Sequence, residues 1–318
     1  MTQQRLALLG GAHVHLSDHL DHAKARGWTV SHVFDRDDTR REALCKELGA
    51  EAIQIDDLAR IGCRGAVICS ETAFHEEDIF AALAAGLPVF VEKPLAGHAA
   101  AAWRCAARAE QLGLTLHCGY FLRTNAALRA LRDLLRAGDL GTVTSARMRF
   151  SHDGGYADWL DLSGWMTKPH LACYGGFADE AVHVIDALQW LLGPVRRAQA
   201  VTGAVLGWPV DDHGAGLLTF EGGATGIAEA GWTDTEMRLE LDLVAAFGWA
   251  RLRAGKIQIG RRGGTVAVRE IVLSPLDAGA GIDPFLGHLE GLPAPGLVPP
   301  GEAAQVNTVL DLMGLRLG

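Results

Sequence analysis

The chain has 318 residues, of which 49% are hydrophobic and 21% charged. This length and composition are sufficient for two domains with substantial cores and exclude a disordered chain. A formal net charge of -9 at pH 7 argues against nucleic acid or an anionic membrane as the main partner, because both need a basic face. A small neutral or weakly charged ligand is the better match.

The sequence predicts a cytoplasmic protein without a metal site. Its longest apolar stretches, such as residues 79–91, are too short to span a bilayer, and the first residues have no signal-peptide cleavage pattern. The six cysteines show no Cys-x-x-Cys pair and no zinc-type spacing, so most are expected to be buried thiols. The histidines at positions 13, 15, 19 and 22 have no carboxylates near them arranged as a metal set.

In residues 5–118, short apolar runs alternate with helical patterns, which is typical of a parallel sheet with crossover helices. The predicted helices 76–85 and 99–112 each end before a glycine, where helices commonly stop. The predicted strands are 6–9, 29–34, 66–69, 89–91 and 115–118. We therefore predict that residues 1–118 form a doubly wound, Rossmann-type dinucleotide-binding domain.

The pattern changes after residue 120, with a predicted helix at 126–137, a strand at 143–150, a glycine- and aromatic-rich loop and a helix ending at 192. Residues 195–273 indicate one antiparallel meander, in which the strands include 214–221, 225–231, 238–246, 249–253 and 266–272. A final helix is predicted near 303–314. Residues 119–318 are thus expected to form an α+β domain with an open, mostly antiparallel sheet, and the whole chain is of the α/β class.

The first strand is followed by Gly10-Gly11-Ala12-His13-Val14-His15, where a dinucleotide fold needs small residues so that backbone amides can meet a pyrophosphate. Compared with Gly-x-Gly-x-x-Gly, only Gly10 matches. The methyl group of Ala12 still allows phosphate approach, whereas the imidazole of His15 should force the helix away or turn outward. Gly10, Ala12, His13 and Val14 are the predicted cofactor-binding residues of this loop.

Asp35 ends the second strand, roughly twenty residues after the loop. A carboxylate there can accept a hydrogen bond from a ribose 2′-hydroxyl and repels a 2′-phosphate, which favours NAD over NADP. Two alternatives stay open. Asp35 is also a common turn residue, and the adjacent Arg36 could accept the phosphate of NADP.

The segment Val91-Glu92-Lys93-Pro94-Leu95-Ala96 places a lysine at the mouth of the sheet. Pro94 cannot extend a strand, so Lys93 follows directly where the strand 89–91 stops. Ligands of open parallel sheets bind at such carboxyl ends. Taken alone, Glu-Lys-Pro would more often be an ordinary solvated loop.

Three further segments favour a functional role for Glu92-Lys93-Pro94 over that of an ordinary solvated loop. Residues 70–75 are similar to a Thr-Pro-Asn-x-x-His loop, residues 119–123 to Gly-Phe-x-x-Arg, and residues 175–183 to Gly-Gly-x-x-x-Asp-x-x-x-His. With Glu-Lys-Pro and the Rossmann half, the chain resembles the Gfo/Idh/MocA oxidoreductases over nearly its whole length. The resemblance implies that the cofactor also contacts Ser70, Glu71, His75, Glu92 and Lys93.

Asp179 and His183 lie four residues apart on the predicted helix and therefore project from the same face, about one turn apart. Without Lys93, a helix-cap aspartate and a packed core histidine would be the better interpretation. The resemblance implies that His183 is a general base, that Lys93 stabilises negative charge on the reacting oxygen, and that Asp179 orients the sugar or the histidine. Glu180 and Asp186 face elsewhere and are expected to be solvated or structural.

The loop 151–174 carries aromatic and short polar groups suited to a carbohydrate. Its Trp-x-x-Lys-Pro stretch resembles the family's Trp-Arg-x-x-Pro region. Trp159 and Trp165, each taken singly, could equally be packing residues. The predicted substrate-binding residues are Tyr120, Arg123, Trp165, Lys168, His170, Asp179 and His183.

These features predict an NAD(P)-dependent oxidoreductase of a sugar, polyol or related cyclic alcohol. An enzyme that retains NAD while it hydrolyses or epimerises its substrate, and a sugar-sensing regulator, are the alternatives. Family members often pair their open sheets face to face, which implies a homodimer or homotetramer here. Alternatively, the proline-rich C-terminal segment covers that face.

Overall fold

The structure is a computed structural model that describes residues 4–157, 159–263 and 269–317. It forms two compact units. Part of the predicted strand 266–272 lies outside the described residues. Within them, no helix is long and apolar enough to cross a membrane.

Unit 1 comprises Met1–Thr124, His170–Cys173 and Asp277–Asn307. It contains a six-stranded parallel sheet of order β3-β2-β1-β4-β5-β6, which is the strand order of dinucleotide-binding Rossmann folds. The strands are β1 (Arg5–Gly11), β2 (Thr29–Phe34), β3 (Glu51–Ala52), β4 (Gly65–Cys69), β5 (Val89–Val91) and β6 (Leu116–Cys118). The helices between them are α1 (Leu16–Ala25), α2 (Asp38–Leu48), α3 (His75–Ala84) and α4 (Ala99–Leu112).

The inner strands of this sheet are apolar on both faces because helices cover both. All five residues of β4 and all three of β5 are buried, without the alternation that a half-exposed strand shows. Helices α2 and α4 end at Gly49 and Gly113, both in the left-handed conformation that glycine adopts without steric cost. The resulting sheet places the ends of β1, β4 and β5 along one edge, where the predicted motifs lie.

Unit 2 comprises Asn125–Pro169, Tyr174–Leu276 and Thr308–Gly318 and contains an eight-stranded sheet of order β14-β13-β12-β11-β7-β10-β9-β8. Its first strands are β7 (Val143–Ser151), β8 (Val195–Gly203), β9 (His213–Phe220) and β10 (Thr225–Gly231). The others are β11 (Arg238–Ala245), β12 (Gly248–Arg253), β13 (Lys256–Arg261) and β14 (Arg269–Val272). Its helices are α5 (Ala126–Arg136) and α7 (Gly176–Leu192). Helix α8 (Asp283–Leu289) belongs to unit 1, and the residues of α6 (Pro169–Ala172) and α9 (Pro300–Leu312) are divided between the two units.

The second sheet departs from the predicted meander at one place. Strand β7 is inserted between β10 and β11 and runs parallel to β10, whereas its pairing with β11 is antiparallel. Helix α7 packs against β7 and β10 and is buried around most of its circumference. The predicted fold class, a Rossmann domain followed by an open, mostly antiparallel sheet, is confirmed.

Five short 3-10 helices complete the described structure: Ile55–Arg60, Thr72–Phe74, Phe121–Thr124, Trp165–Thr167 and Gly279–Ile282. The segment Asp277–Asn307 returns to unit 1, although it follows the second sheet in sequence. His117 on β6 holds this segment through the carbonyl of Gly281 and the amide of Val298. The side chain of Asn307 donates to the carbonyl of Ala96 at 2.7 Å.

Candidate active site

The end of β1 approaches Ser70, directly after β4, so closely that it requires glycine. Gly10 has φ +74°, and a Cβ at this position would lie 2.4 Å from the Cα of Ser70. The amides of Ala12 and His13 both donate to the carbonyl of Cys69, at 2.9 and 3.1 Å. The predicted cofactor loop is therefore fixed at the carboxyl end of the sheet.

Asp35 is buried at the end of β2 and is surrounded by donors. Its carboxylate accepts the amides of Gly11 and Asp37, each at 2.8 Å. Arg40 on α2 adds a bidentate pair, from Nε at 2.6 Å and from Nη2 at 2.8 Å, and also donates to Glu71 at 2.9 Å. Four donors match the roughly four acceptor positions of a carboxylate. Arg40 was missed in the sequence, although its spacing of five residues from Asp35 was visible.

Arg36 points away from Asp35 towards α3. Its guanidinium pairs with Asp78 and Glu77, each at 2.9 Å, and lies over the ring of Phe74 at 4.2 Å from the ring centre. Ser70 donates to the same Asp78 carboxylate at 2.6 Å. The side chain of Arg36, which was considered as the group that accepts the phosphate of NADP, is thus already paired with two carboxylates.

The Glu92-Lys93-Pro94 loop is held at both of its ends. His75 is fully buried, with Nδ1 2.8 Å from the carbonyl of Pro94 and Nε2 3.1 Å from that of Ser70. Burial lowers the pKa of His75. The amide of Lys93 donates to Glu92 Oε2 at 2.9 Å, and the Lys93 side chain is only 3% exposed. Lys93 therefore lies at the carboxyl end of β5, as predicted.

Glu92 is surrounded by three imidazoles from the loop after β1 and from α1. His15 Nδ1 lies 3.3 Å from Oε1, His13 Nε2 lies 3.6 Å from Oε2, and His19 Nε2 makes a short contact to Oε1. Burial alone would raise the pKa of Glu92, but the adjacent His13 and His15 hold it well below its usual value. Between those two histidines, Val14 is 39% exposed.

This cluster corrects two sequence-based arguments. The histidines at the start of the chain do have a carboxylate beside them, because folding brings Glu92 to them from a distant part of the sequence. The stated reason for excluding a metal was therefore wrong. His15, in the third glycine position, was expected to displace the helix or turn outward. Its ring instead faces Glu92 and bonds to it.

In unit 2, the Gly175-Gly176 pair allows two side chains to approach the start of α7. A Cβ at Gly175 would lie 2.3 Å from Asp211 Oδ2, and one at Gly176 would lie 2.6 Å from the Trp232 ring. Asp211 accepts the amide of Gly176 at its carbonyl and that of Phe177 at its carboxylate, each at 2.7 Å. Asp211 thus satisfies amides at the helix start that have no partner within the helix. Burial raises its pKa.

Asp179 and His183 lie on successive turns of α7, as the spacing predicted. The indole Nε1 of Trp232 donates to Asp179 Oδ2 at 2.9 Å, which fixes the carboxylate. His183 is buried and meets the ring of Phe150 edge-on, with 5.4 Å between the ring centres. Trp232 and Asp211 were not predicted as site residues, because both come from strands or loops that follow α7 in the chain.

Glu180 and Asp186, the other acidic residues considered on this helix, are both buried. Glu180 pairs with His152, with 3.0 Å between Oε1 and Nε2. Of the two expected alternatives, solvated or structural, their burial agrees with the structural one. Charged groups in such positions are normally paired.

The predicted substrate-binding residues differ in exposure. Tyr120 and Arg123 of unit 1 are buried, and Arg123 donates to Glu302 on α9 at 2.5 Å. His170, also in unit 1, and Lys168, in unit 2, are exposed. Trp165 of unit 2 packs in a small apolar cluster, whose other members are Leu160, Leu162, Met166, Val210, Trp232 and Leu317.

Two family models match the chain. Residues 5–120 match the oxidoreductase family with an NAD-binding Rossmann fold, and residues 128–251 match the GFO/IDH/MocA C-terminal domain. The predicted NAD-binding domain is confirmed by the first match.

Similar proteins carry names of sugar and polyol enzymes. Inositol 2-dehydrogenase of Leifsonia xyli subsp. xyli is 31% identical over 197 residues, which cover 60% of this chain and 55% of the relative. The 1,5-anhydro-D-fructose reductase of Ensifer adhaerens is 29% identical over 208 residues, covering 63% and 61%. The matched part of the chain spans about half to three fifths of the length of these relatives.

The solved structure of levoglucosan dehydrogenase in complex with NADH and levoglucosan has a similar fold. Its TM-score is 0.81 at 18% identity, with 98% of this chain and 96% of that chain covered. At this identity the likeness concerns the fold alone. The resemblance inferred from the sequence motifs is confirmed by the two family models: the chain belongs to the GFO/IDH/MocA oxidoreductase family.

Proposed function

We propose that this protein is an NAD-dependent dehydrogenase or reductase. It transfers a hydride between the nicotinamide and a carbon that bears a secondary hydroxyl or keto group in a sugar, polyol or related cyclic compound. The names of its relatives, inositol 2-dehydrogenase and 1,5-anhydro-D-fructose reductase, support this substrate class.

The position of Lys93 carries the proposal. It lies at the carboxyl end of an inner strand of a Rossmann sheet, the edge at which such sheets bind ligands. Its ammonium donates a hydrogen bond to the reacting oxygen of the substrate and stabilises the negative charge that develops there during oxidation. Removal of one such donor costs on the order of 10²- to 10³-fold in kcat.

His183 takes the proton of the substrate hydroxyl, and the roles reverse during reduction. An imidazole can accept and release a proton near neutral pH, which suits this transfer. Asp179, held by Trp232, orients the substrate through its carboxylate. When bound, the nicotinamide supplies the hydride acceptor, and the protein residues bind, orient and exchange the proton.

The cofactor is NAD in this proposal, with the loop at Gly10, Ala12, His13 and Val14 next to the pyrophosphate. The preference over NADP belongs to Asp35 and Arg40 together. Because Arg40 occupies both oxygens of Asp35, a ribose hydroxyl that bonds to Asp35 must replace one of the present donors. Glu71 offers Arg40 a second carboxylate at 2.9 Å.

The proposal includes a homodimer or homotetramer built through the open face of the second sheet. Helix α7 packs on one face, while Leu217 and Ile227, which are paired in the register of β9 and β10, are 52% and 36% exposed. These two residues and Val244 and Leu312 line a concavity of about 780 Å³. A second copy of the chain would cover this apolar surface.

A screen of sugars and polyols with NAD and NADP, followed by the absorbance of the reduced cofactor, tests the proposed reaction. Lys93→Ala and His183→Ala are each expected to reduce turnover by at least 100-fold and to leave NAD affinity within a few-fold. Both side chains act on the reacting oxygen, so the dinucleotide is still held. Lys46→Ala and His22→Ala, at more exposed helix positions of unit 1, are the matched controls.

Near-normal turnover in Lys93→Ala or His183→Ala would refute the assigned roles. A second outcome is a stoichiometric nicotinamide that copurifies and does not exchange, with no net reduction of added NAD. That result would replace the dehydrogenase with an enzyme that retains its cofactor through each cycle.

A further inference from the structure

Two histidines and one glutamate converge at the carboxyl ends of β1 and β5. His13 Nε2 lies 3.6 Å from Glu92 Oε2, and His15 Nδ1 lies 3.3 Å from Glu92 Oε1. One ligand atom from each of the three residues lies within 4.8 Å of the others. All three residues belong to unit 1, so the group is complete within one compact body.

We propose that His13, His15 and Glu92 form a binding site for a divalent first-row transition metal ion, with Zn²⁺ as the best match. In a tetrahedral zinc site with bonds of about 2.1 Å, neighbouring ligand atoms are about 3.4 Å apart. The 3.3 Å between His15 Nδ1 and Glu92 Oε1 is close to that value, and His13 Nε2 lies 3.6 Å from the other carboxylate oxygen, Oε2. Two imidazole nitrogens favour such ions over Mg²⁺ and Ca²⁺, which prefer oxygen ligands.

The surroundings of Glu92 support a bound cation. The carboxylate has no solvent exposure, and its present partners are the amide of Lys93, which donates to Oε2 at 2.9 Å, and the surrounding imidazoles; a metal ion would add a full opposite charge to this buried group. His19 makes a short contact to Oε1 through Nε2, and its Nδ1 lies 3.3 Å from the carbonyl of Gly279. A residue that orients a ligating carboxylate in this way is typical of metal sites.

The access to the site is also appropriate. The His15 side chain is 23% exposed, whereas those of His13 and Glu92 are almost fully buried, so an ion can enter past His15. Three protein ligands leave a fourth position for water or another small ligand. The amide of His15 lies 3.3 Å from Nδ1 of His13. A metal bound to Nε2 of His13 places the ring proton on Nδ1, which can then no longer accept the His15 amide. This hydrogen bond is therefore lost when the metal bond forms.

Titration of the 318-residue chain, first dialysed against a chelator, with Co²⁺ alone tests the site. Co²⁺ reports its coordination through visible absorption, and Zn²⁺ is then added to displace it. We expect one Co²⁺ per chain with the absorption of a four- or five-coordinate ion, loss of that absorption on addition of Zn²⁺, and no displacement by an equal concentration of Mg²⁺.

His15→Ala and Glu92→Gln are each expected to weaken Co²⁺ binding at least tenfold. His15→Ala is the safer variant for folding because its side chain is partly exposed, and circular dichroism checks both. The matched control is His22→Ala, on the same helix as His19. His22 also faces carboxylates, those of Asp277 and Asp283 at 3.1 and 3.0 Å, but lies outside the proposed site.

Absence of Co²⁺ binding, or unchanged affinity in folded His15→Ala and Glu92→Gln, would overturn the proposal and leave the cluster as a set of hydrogen-bonded imidazoles. Equal weakening in His22→Ala would move the ion to the carboxylates around His22 and also overturn it. The binding assay uses no nicotinamide and no substrate. Its failure therefore leaves the proposed dehydrogenase activity intact, and an inactive protein that binds Co²⁺ would fail only the activity test.

Discussion

His117 is expected to make the stability of unit 1 depend on pH. The side chain is 1% exposed, its Nε2 donates to the carbonyl of Gly281 at 2.9 Å, and its Nδ1 accepts the amide of Val298 at 3.0 Å. One donated and one accepted bond satisfy a neutral imidazole completely. Burial lowers the pKa of His117 from 6.5 to about 4.

The direction and size of the effect follow from proton linkage. Between pH 6.5 and 4, the unfolded chain binds a proton at His117 that the folded chain does not, so the free energy of unfolding falls as the pH is lowered. The contribution is fully present above pH 6.5 and is lost as the pH approaches 4. The pKa differs by about 2.5 between the unfolded and the folded chain, and each pKa unit is worth about 1.36 kcal/mol. The free energy of unfolding therefore changes by roughly 3 kcal/mol.

Urea unfolding followed by circular dichroism at several pH values from 7 to 4 measures this contribution. The comparison is with His117→Gln, which cannot be protonated in this range. The variant is less stable at pH 7 because it loses at least one hydrogen bond, but its stability should fall by about 3 kcal/mol less on acidification. Other buried groups, such as His75, are common to both proteins and cancel. Parallel pH profiles would refute the reasoning.

Two further perturbations concern the cofactor and the open sheet. Asp35→Ser should shift the cofactor preference towards NADP by at least about tenfold, because it frees the Arg40 guanidinium for a 2′-phosphate, whereas Arg40→Met should strengthen the preference for NAD. Michaelis constants for NAD and NADP measure this preference, and an unchanged ratio of the two constants would show that Asp35 and Arg40 do not recognise the cofactor. Light scattering at low micromolar concentration should give a multiple of 33.9 kDa for the wild type and a lower mass for the doubly substituted Leu217→Asp, Ile227→Glu protein. Val205→Glu, an exposed position outside the strands, should leave the mass unchanged, and a wild-type monomer would contradict the proposed assembly.

The sequence was sufficient for most of the elements in unit 1. The strands 29–34 and 89–91 and the helix 99–112 agree with the structure at both ends, because apolar runs bounded by glycine and proline mark them clearly. Strand periodicity does not identify the partner of a strand. The insertion of β7 beside β10 and the return of Asp277–Asn307 to unit 1 depend on contacts between distant segments, and neither was predicted.

The site residues also differ in whether a local pattern or a distant contact determines their position. Motif spacing located Gly10, Lys93 and the pair of residues on α7, because each of these positions is set by a local strand end or helix turn. The long-range contacts made by the site residues were not predicted. Trp232 reaches Asp179 across 53 positions of sequence, and Glu92 reaches His15 across 77.

Asp35 illustrates why the identity of a residue does not by itself establish its role. The sequence places a carboxylate where a Rossmann domain recognises the ribose, and the structure confirms its location at the end of β2. Its acceptor positions, however, are filled by Gly11, Asp37 and Arg40, and the last of these also neutralises its charge. Repulsion of a 2′-phosphate therefore depends on where the Arg40 guanidinium goes when the dinucleotide binds. If it stays on Asp35, the carboxylate discriminates weakly; if it moves to Glu71 alone, Asp35 regains its charge and favours NAD. The opposite shifts expected for Asp35→Ser and Arg40→Met distinguish these two cases, because only a pair that acts together responds to both substitutions.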